Sequence, residues 1–359
     1  MGRFTKRVAR AVLLAFSLLL AVIALPAGAE GGGAQRTVLV EFFCTQGCQW
    51  AATAADALDR VADEYGPEQV LVLEYNLDLD RELFERRFHL YVPPGTHVPF
   101  AFFDGSRLGI YGSNNDAEES YGWYRDAVEQ ELAAPSPLRL AVARHVEGRQ
   151  VAFEARLTNV SERPLDSADL YFALYERAQV GRTHRLLRHL SPALSVGPLA
   201  PRGSRTIAYT CPALAAEADL ARIEGLAFVQ ERDSLEVHQA AHAGLPSLTL
   251  GLDSLAAVVT PGSPALGPHA VMVDGLGLSF SWTVAAPSEQ WLEVAPRAGA
   301  RGEAFQVTVD PAGLPYGTYT AAVVVRADAA LTPAERTLSV TVHVAPEVRT
   351  TYVPLVATG

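Results

Sequence analysis

Two prolines in three residues, Pro135-Ser136-Pro137, separate stretches of this chain that have different periods. That change of period limits the possible folds more than any other feature, because a helix cannot run through it. Before it, apolar β-rich runs at Thr37 to Phe43, Val70 to Tyr75 and Phe100 to Phe103 read as buried strands. Between them, Gln49 to Tyr65 carries Ala52, Ala55, Leu58, Val61 and Ala62 on one stripe and stops at Gly66-Pro67, which predicts a helix. Asp80 to Leu90 is weakly helical, and Ala117 to Leu132 is a closing helix. Asp104-Gly105 reads as a hairpin turn leading to a strand at Arg107 to Tyr111. The order β-α-β-(α)-β-β-α predicts a sheet covered by helices. After Pro137 the pattern is alternation with period two, as in Leu138 to Ala143, Gln150 to Leu157, Leu170 to Tyr175, Arg205 to Tyr209 and Ala227 to Gln230. That predicts an antiparallel sandwich of about 100 residues. Gly244 to Pro268 mixes a linker with a first strand, and Val271 to Val344 returns to strands with regular turns.

The N-terminus reads as an export signal. Arg3, Lys6, Arg7 and Arg10 precede an uncharged apolar run, Ala11 to Leu25, and Ala27-Gly28-Ala29 offers small residues for cleavage. The mature chain is expected to start near Glu30, outside the cytoplasm and without a later transmembrane span. Removing the leader deletes four positive charges and moves the formal charge from −11 to −15. Such an acidic chain has no electrostatic reason to bind nucleic acid or an anionic membrane. Export also implies a compartment where disulfides persist, yet the three cysteines Cys44, Cys48 and Cys211 form at most one internal bond.

The segment Glu41-Phe42-Phe43-Cys44-Thr45-Gln46-Gly47-Cys48-Gln49-Trp50-Ala51 carries the most chemistry. A buried strand enters a loop, and Cys48 opens a helix, whose N-terminal partial charge favours a thiolate. A thiolate is the nucleophile of disulfide exchange. Cys44 and Cys48 are compatible with a structural disulfide, with a redox pair, or with Cys48 acting alone or both being inert. As a pair, they would close a small ring with little slack and so form a labile disulfide, with Gly47 easing the bend.

The same segment resembles the active-site region of a secreted thioredoxin-like family whose motif reads E-L-F-T-S-Q-G-C-S-S-C-P-P-A-D. Cys48 falls on that motif's first cysteine, Ala51 on the second, and Cys44 replaces a threonine. A C-x-x-x-C pair shifted towards the strand therefore stands where the family has C-x-x-C. His97-Val98-Pro99-Phe100-Ala101-Phe102-Phe103 resembles the thioredoxin-fold stretch in which a cis-proline opens the third strand beside the active site. The resemblance implies a cis Val98–Pro99 bond facing the start of the Cys48 helix. It makes Cys48, Cys44 and Pro99 the candidate catalytic residues.

Two further resemblances concern the β-rich remainder. His184-Arg185-Leu186-Leu187-Arg188, Leu226-Ala227-Phe228-Val229-Gln230 and Glu236-Val237-His238-Gln239-Ala240-Ala241 resemble the sandwich that follows the thioredoxin-like unit in a family of outer-membrane-associated proteins. That stretch carries no catalytic residue. Trp291-Leu292-Glu293-Val294-Ala295-Pro296, Val307-Thr308-Val309-Asp310 and Gly313-Leu314-Pro315-Tyr316-Gly317-Thr318-Tyr319 look like a BACON domain, an immunoglobulin-type sandwich named for suspected carbohydrate binding. Trp282 and Trp291 read as core residues, which makes this module a spacer.

Together these readings predict a multidomain α/β plus all-β chain. It comprises a signal peptide at 1–29, a thioredoxin-like fold at 30–134, β-sandwich domains at 138–243 and 248–345, and a tail at 346–359. His238 and His242 lie four apart beside Glu236, a metal spacing only on a helix, and the segment reads as a strand end. Cys211 reads as an idle buried thiol. No cofactor is implied. The function expected is a thiol–disulfide oxidoreductase acting on protein thiols or disulfides. The alternative is a non-enzymatic envelope scaffold whose sandwiches contact carbohydrate or the cell envelope.

Overall fold

The computed structural model describes residues 33–346 apart from 106–108, 113–115, 181 and 215–217. The predicted leader, its cleavage site and the segment after residue 346 lie outside the described residues. The chain begins with β1 (Val38–Cys44), α1 (Gln49–Tyr65), β2 (Val70–Asn76), α2 (Arg81–Phe88), β3 (Phe100–Phe103), β4 (Ile110–Tyr111) and α3 (Ala117–Leu132). β1 and β2 are parallel, whereas β3 is antiparallel to β1 and β4 to β3. α1 and α3 cover one face of the sheet, where Ala54, Leu58 and Val61 meet Val38, Val40 and Phe42. α2 covers the other face with Leu83, Phe84 and Phe88.

The all-β remainder starts with β5 (Leu138–Glu147), β6 (Gln150–Asn159), β7 (Ala168–Val180), β8 (Arg182–Leu190), β9 (Leu194–Ser195), β10 (Ser204–Thr210), β11 (Ile223–Glu231) and β12 (Val237–His242). It does not form a separate layer beside the first unit. One nine-stranded sheet runs β12-β11-β7-β8-β2-β1-β3-β4, with β9 on β7. The join is a parallel contact at Glu74 and Leu186 between β2 and β8. The expected boundary at 134–138 therefore falls between elements that share a sheet. Ser136 bonds Ala34 in both directions at 2.8 and 2.9 Å, so this connection is pinned rather than free.

Both faces of the strands in the middle of this sheet are buried. Leu226 and Phe228 of β11 join the α2 side, while Ala227 and Val229 pack under the three-stranded sheet β10-β6-β5. Alternation in β11 thus sorts apolar residues between two cores, with no polar face left.

The last unit contains β13 (Ser247–Leu250), β14 (Ser254–Val259), β15 (Leu266–Leu276), β16 (Ser281–Val284), β17 (Leu292–Ala295), β18 (Ala298–Ala300), β19 (Ala304–Val309), β20 (Gly317–Ala327) and β21 (Glu335–Val344). They form two facing sheets, β13-β15-β19-β17 and β14-β21-β20-β16-β18. Trp282 fills the space between them, with its indole N–H donating to Ala300 at 2.8 Å, and Trp291 packs half-buried against the same core. Charged pairs tie this unit to the preceding sandwich. Arg301 donates to Glu154 at 2.5 Å and to Asp274 at 3.2 Å, and Arg156 donates to Asp274 at 2.7 Å.

Candidate thiol site

β1 is buried along its whole length, and its alternation places Cys44 on the α1 face with Val40 and Phe42. Cys44 is the last residue of the strand and stands opposite Asn76 of β2. The loop that follows is held by Asp78, whose carboxylate accepts the Thr45 hydroxyl and the Gln46 amide, each at 2.6 Å. These two donors hold the exposed Asp78 carboxyl below its usual range. Gly47 takes φ +73°, the left-handed turn that brings the chain into α1.

Cys48 is the N-cap of α1, and its carbonyl accepts the amides of Ala51 and Ala52 at 3.0 and 3.3 Å. Its side chain makes no capping hydrogen bond and is half-buried. Cys48 packs against the core under α1, and Trp50 two residues on is exposed. Cys44 is buried at the foot of the same cleft. Its thiol donates to Glu74 at 3.4 Å, and Asn76 donates to its sulfur at 3.8 Å. His184 of β8 reaches both carboxylate oxygens of Glu74 with Nδ1, at 3.2 and 3.3 Å. Cys44, Cys48, Asp56, Glu74, Asn76 and His184 line an open cleft of about 500 Å³.

The predicted residues are brought together in part. Cys44 and Cys48 share the cleft, and of the alternatives left open for them a disulfide is not formed here: all three cysteines are thiols. In this state the Cys44 thiol is hydrogen-bonded to Glu74. The Val98–Pro99 bond is cis. Register places Pro99 one step beyond the Phe43–Phe100 pair, beside Cys44, and its carbonyl accepts the Gly112 amide at 2.8 Å. The cleft walls come from β1, its loop, α1, β2 and β8; Pro99, just before β3, is not among the residues that line it. His238 pairs with Glu231 at 3.3 Å, and His242 lies 3.6 Å from Glu224. Cys211 sits in the sandwich core, where burial pushes its thiol up to about 12.

Sequence reading missed Glu74 and His184. A signal for Glu74 was available, since it is the one charge inside Val70–Asn76, and a buried carboxylate needs partners. Glu41 in β1 carries the same signal and has a fuller answer. Arg87 donates to both its oxygens at 2.7 and 2.8 Å, Tyr75 adds a bond at 2.7 Å, and the Tyr91 hydroxyl donates as well. Burial alone would raise the Glu41 carboxyl, but the Arg87 charge and these hydrogen bonds outweigh it and hold it below the usual range. No local pattern marks His184, because its partner lies 110 positions away.

No protein-family profile matches the chain, and no curated protein matches it. Among solved structures, it is similar to HBP35 of Porphyromonas gingivalis at 14% identity, covering 86% of this chain and 99% of that one, with a TM-score of 0.47. A domain of the outer membrane lipoprotein Omp28 from the same organism gives 12% identity, 31% and 88% coverage and a TM-score of 0.23. A protein of unknown function from P. gingivalis W83 gives 9% identity, 58% and 100% coverage and a TM-score of 0.23. Among the described residues, no helix is long and apolar enough to cross a membrane.

Proposed function

We propose that this is an exported thioredoxin-like protein that exchanges thiols with disulfides, with Cys48 attacking and Cys44 resolving. The observation that carries the reading is one cleft holding two sulfurs in different settings. One is half-buried at a helix start, and the other is buried at a strand end against a carboxylate. The strand order β2-β1-β3-β4 and the cis-proline opening β3 fit a thioredoxin-like unit. In the reaction, the Cys48 thiolate attacks a substrate disulfide R–S–S–R′, forming a Cys48–S–R bond and releasing R′–S⁻, which takes up a proton. Cys44 then attacks the Cys48 sulfur, R–SH leaves, and the protein holds a Cys44–Cys48 disulfide. Two electrons pass from protein to substrate, and a dithiol donor of the same compartment restores the reduced pair. The sandwich at 248–345 is a BACON-like spacer whose outer surface contacts carbohydrate or the cell envelope.

The test is equilibration of the mature chain with glutathione buffers, followed by counting free thiols and assaying exchange. A reversible pair with a potential above about −300 mV is expected, since a lower one marks a structural bond. Cys48→Ser should abolish exchange. If exchange is unchanged in that variant, the chain is a scaffold with a degenerate thiol site.

A further inference from the structure

We infer that Glu74 is the proton acceptor of the Cys44 thiol, and that His184, carried by a strand outside the N-terminal unit, positions Glu74 for that role. The inference rests on the thiol-exchange reading above and adds residues to it. Glu74 touches the sulfur directly, with the thiol proton directed at Oε1 over 3.4 Å. The carboxylate side chain is 4% exposed and the imidazole 23%, so the pair forms the inner wall of the cleft and not a solvated surface contact. An ionised carboxylate only accepts hydrogen bonds, so the 3.2 and 3.3 Å contacts assign the proton of His184 to Nδ1. That N–H holds the carboxylate aimed at Cys44.

The shared sheet supplies the placement. β8 runs parallel to β2 with Leu186 opposite Glu74. His184 lies two residues before Leu186, so strand alternation puts it on the same face as Glu74, the face that α1 covers. Asp56 of α1 lines the cleft mouth, Asp78 is turned to the loop amide and hydroxyl, and Arg185 is tied to Asp59 at 2.5 Å. In the resolving step Cys44 gives its proton to Oε1 of Glu74, and its sulfur attacks Cys48 of the mixed disulfide. The Cys44–Cys48 bond forms as the Cys48–S–R bond breaks. The departing R–S⁻ takes a proton, which returns Glu74 to its carboxylate form. The second unit thus contributes to the thiol site itself, which gives a functional meaning to a sheet that crosses the Pro135–Pro137 connection.

The experiment mixes the reduced mature chain with one equivalent of 5,5′-dithiobis(2-nitrobenzoate) and follows thionitrobenzoate release. Two phases are expected in the unsubstituted chain: attack by Cys48, then resolution by Cys44, the phase absent from Cys44→Ser. Glu74→Gln should slow the second phase by at least about tenfold relative to the first, as loss of a positioned base does. It should also remove one ionisation from the pH profile of the second phase. His184→Ala should slow the second phase too, and His184→Asn, which retains an N–H donor near Nδ1, should restore most of it. A second phase at the original rate in Glu74→Gln overturns the inference and leaves the exchange reading intact. Equal slowing in His184→Ala and His184→Asn overturns the positioning role. If the unsubstituted chain shows no second phase, the exchange reading fails and takes the inference with it. Circular dichroism checks folding, and should Glu74→Gln not fold, the His184 pair decides.

Discussion

Replacing Arg87 by Met should cost the fold far more than a surface change would. Arg87 lies in α2, and its side chain is 2% exposed. It donates to Glu41 at 2.7 and 2.8 Å, to Gln230 of β11 at 2.9 Å and to the Tyr91 hydroxyl at 2.9 Å. Its guanidinium also lies 5.2–5.4 Å from the ring centres of Phe228, Tyr171 and Tyr91. Met fills much of the stem's space but leaves the fully buried Glu41 charge with only tyrosine hydroxyls. Removing one partner of a buried pair costs about 3–5 kcal/mol. Against a total stability of about 5–15 kcal/mol, and about 2–4 °C per kcal/mol for a unit of this size, the melting transition should fall by roughly 6–20 °C. Glu41→Leu combined with Arg87→Met removes both charges together. The double variant should therefore lose less than the sum of the two single losses, by about 1–3 kcal/mol. Calorimetry resolves the transition of the shared-sheet unit from that of the C-terminal sandwich. The acid side gives a second check. The folded Glu41 carboxyl lies below its unfolded value of 4.5, so its contribution is present above that pH and is lost as pH falls through the folded value. An Arg87→Met shift under about 2 °C, or strict additivity in the double variant, would refute the view that this pair locks α2 to the sheet.

Two other consequences can be measured directly. Glu224 is held down to about 2 by the His242 imidazole 3.6 Å away, against a burial effect that raises it, and by the Tyr175 hydroxyl at 2.8 Å. Its stabilisation is present above its unfolded value of 4.5 and is lost as pH falls towards 2. After discounting for partial exposure, Glu224→Gln should cost about 1–2 kcal/mol at pH 6 and almost nothing at pH 2. Urea midpoints at both pH values check this, and an equal loss at both would count against it. The Cys211 thiol, pushed up to about 12 by burial, should resist iodoacetamide at pH 8 in the folded chain and react once urea unfolds it. Peptide mapping reads the outcome, and modification of Cys211 as fast as Cys48 in the native chain would contradict its place in the sandwich core.

The local elements were legible because each is fixed by its own residues. The apolar stripe and the Gly66-Pro67 stop delimit α1, which spans Gln49–Tyr65 as predicted, although the predicted stripe member Ala52 is exposed and Ala51, Ala54 and Ala57 complete the buried face. The apolar runs of β1, β2 and β3 similarly fix their own extents. What was not legible was the pairing of β8 with β2. A proline pair ends a helix, but it does not forbid strands on its two sides from joining one sheet. β8 also gives little warning, since Arg182–Leu190 mixes Arg and His with Leu in a way that suits a solvated strand as well as a sheet centre.

The same distinction explains the site. Cys44 and Cys48 could be read as candidates because strand, loop and helix order them within one short segment, whereas Pro99, far along the chain, was reached only through the thioredoxin-fold resemblance. Glu74 was within reach, for a charge in the run Val70–Asn76 has to be answered by something. The answer, His184, depends on the register of β8 against β2, which no local pattern in the chain encodes. Charges buried in predicted strands therefore serve as pointers to long-range structure. Glu41 points to Arg87 and through it to Gln230, and Glu74 points to His184. Both lead across the Pro135–Pro137 connection to the strands that extend the first sheet. In this chain the polar residues that look misplaced in the sequence are those that join its first two units into one.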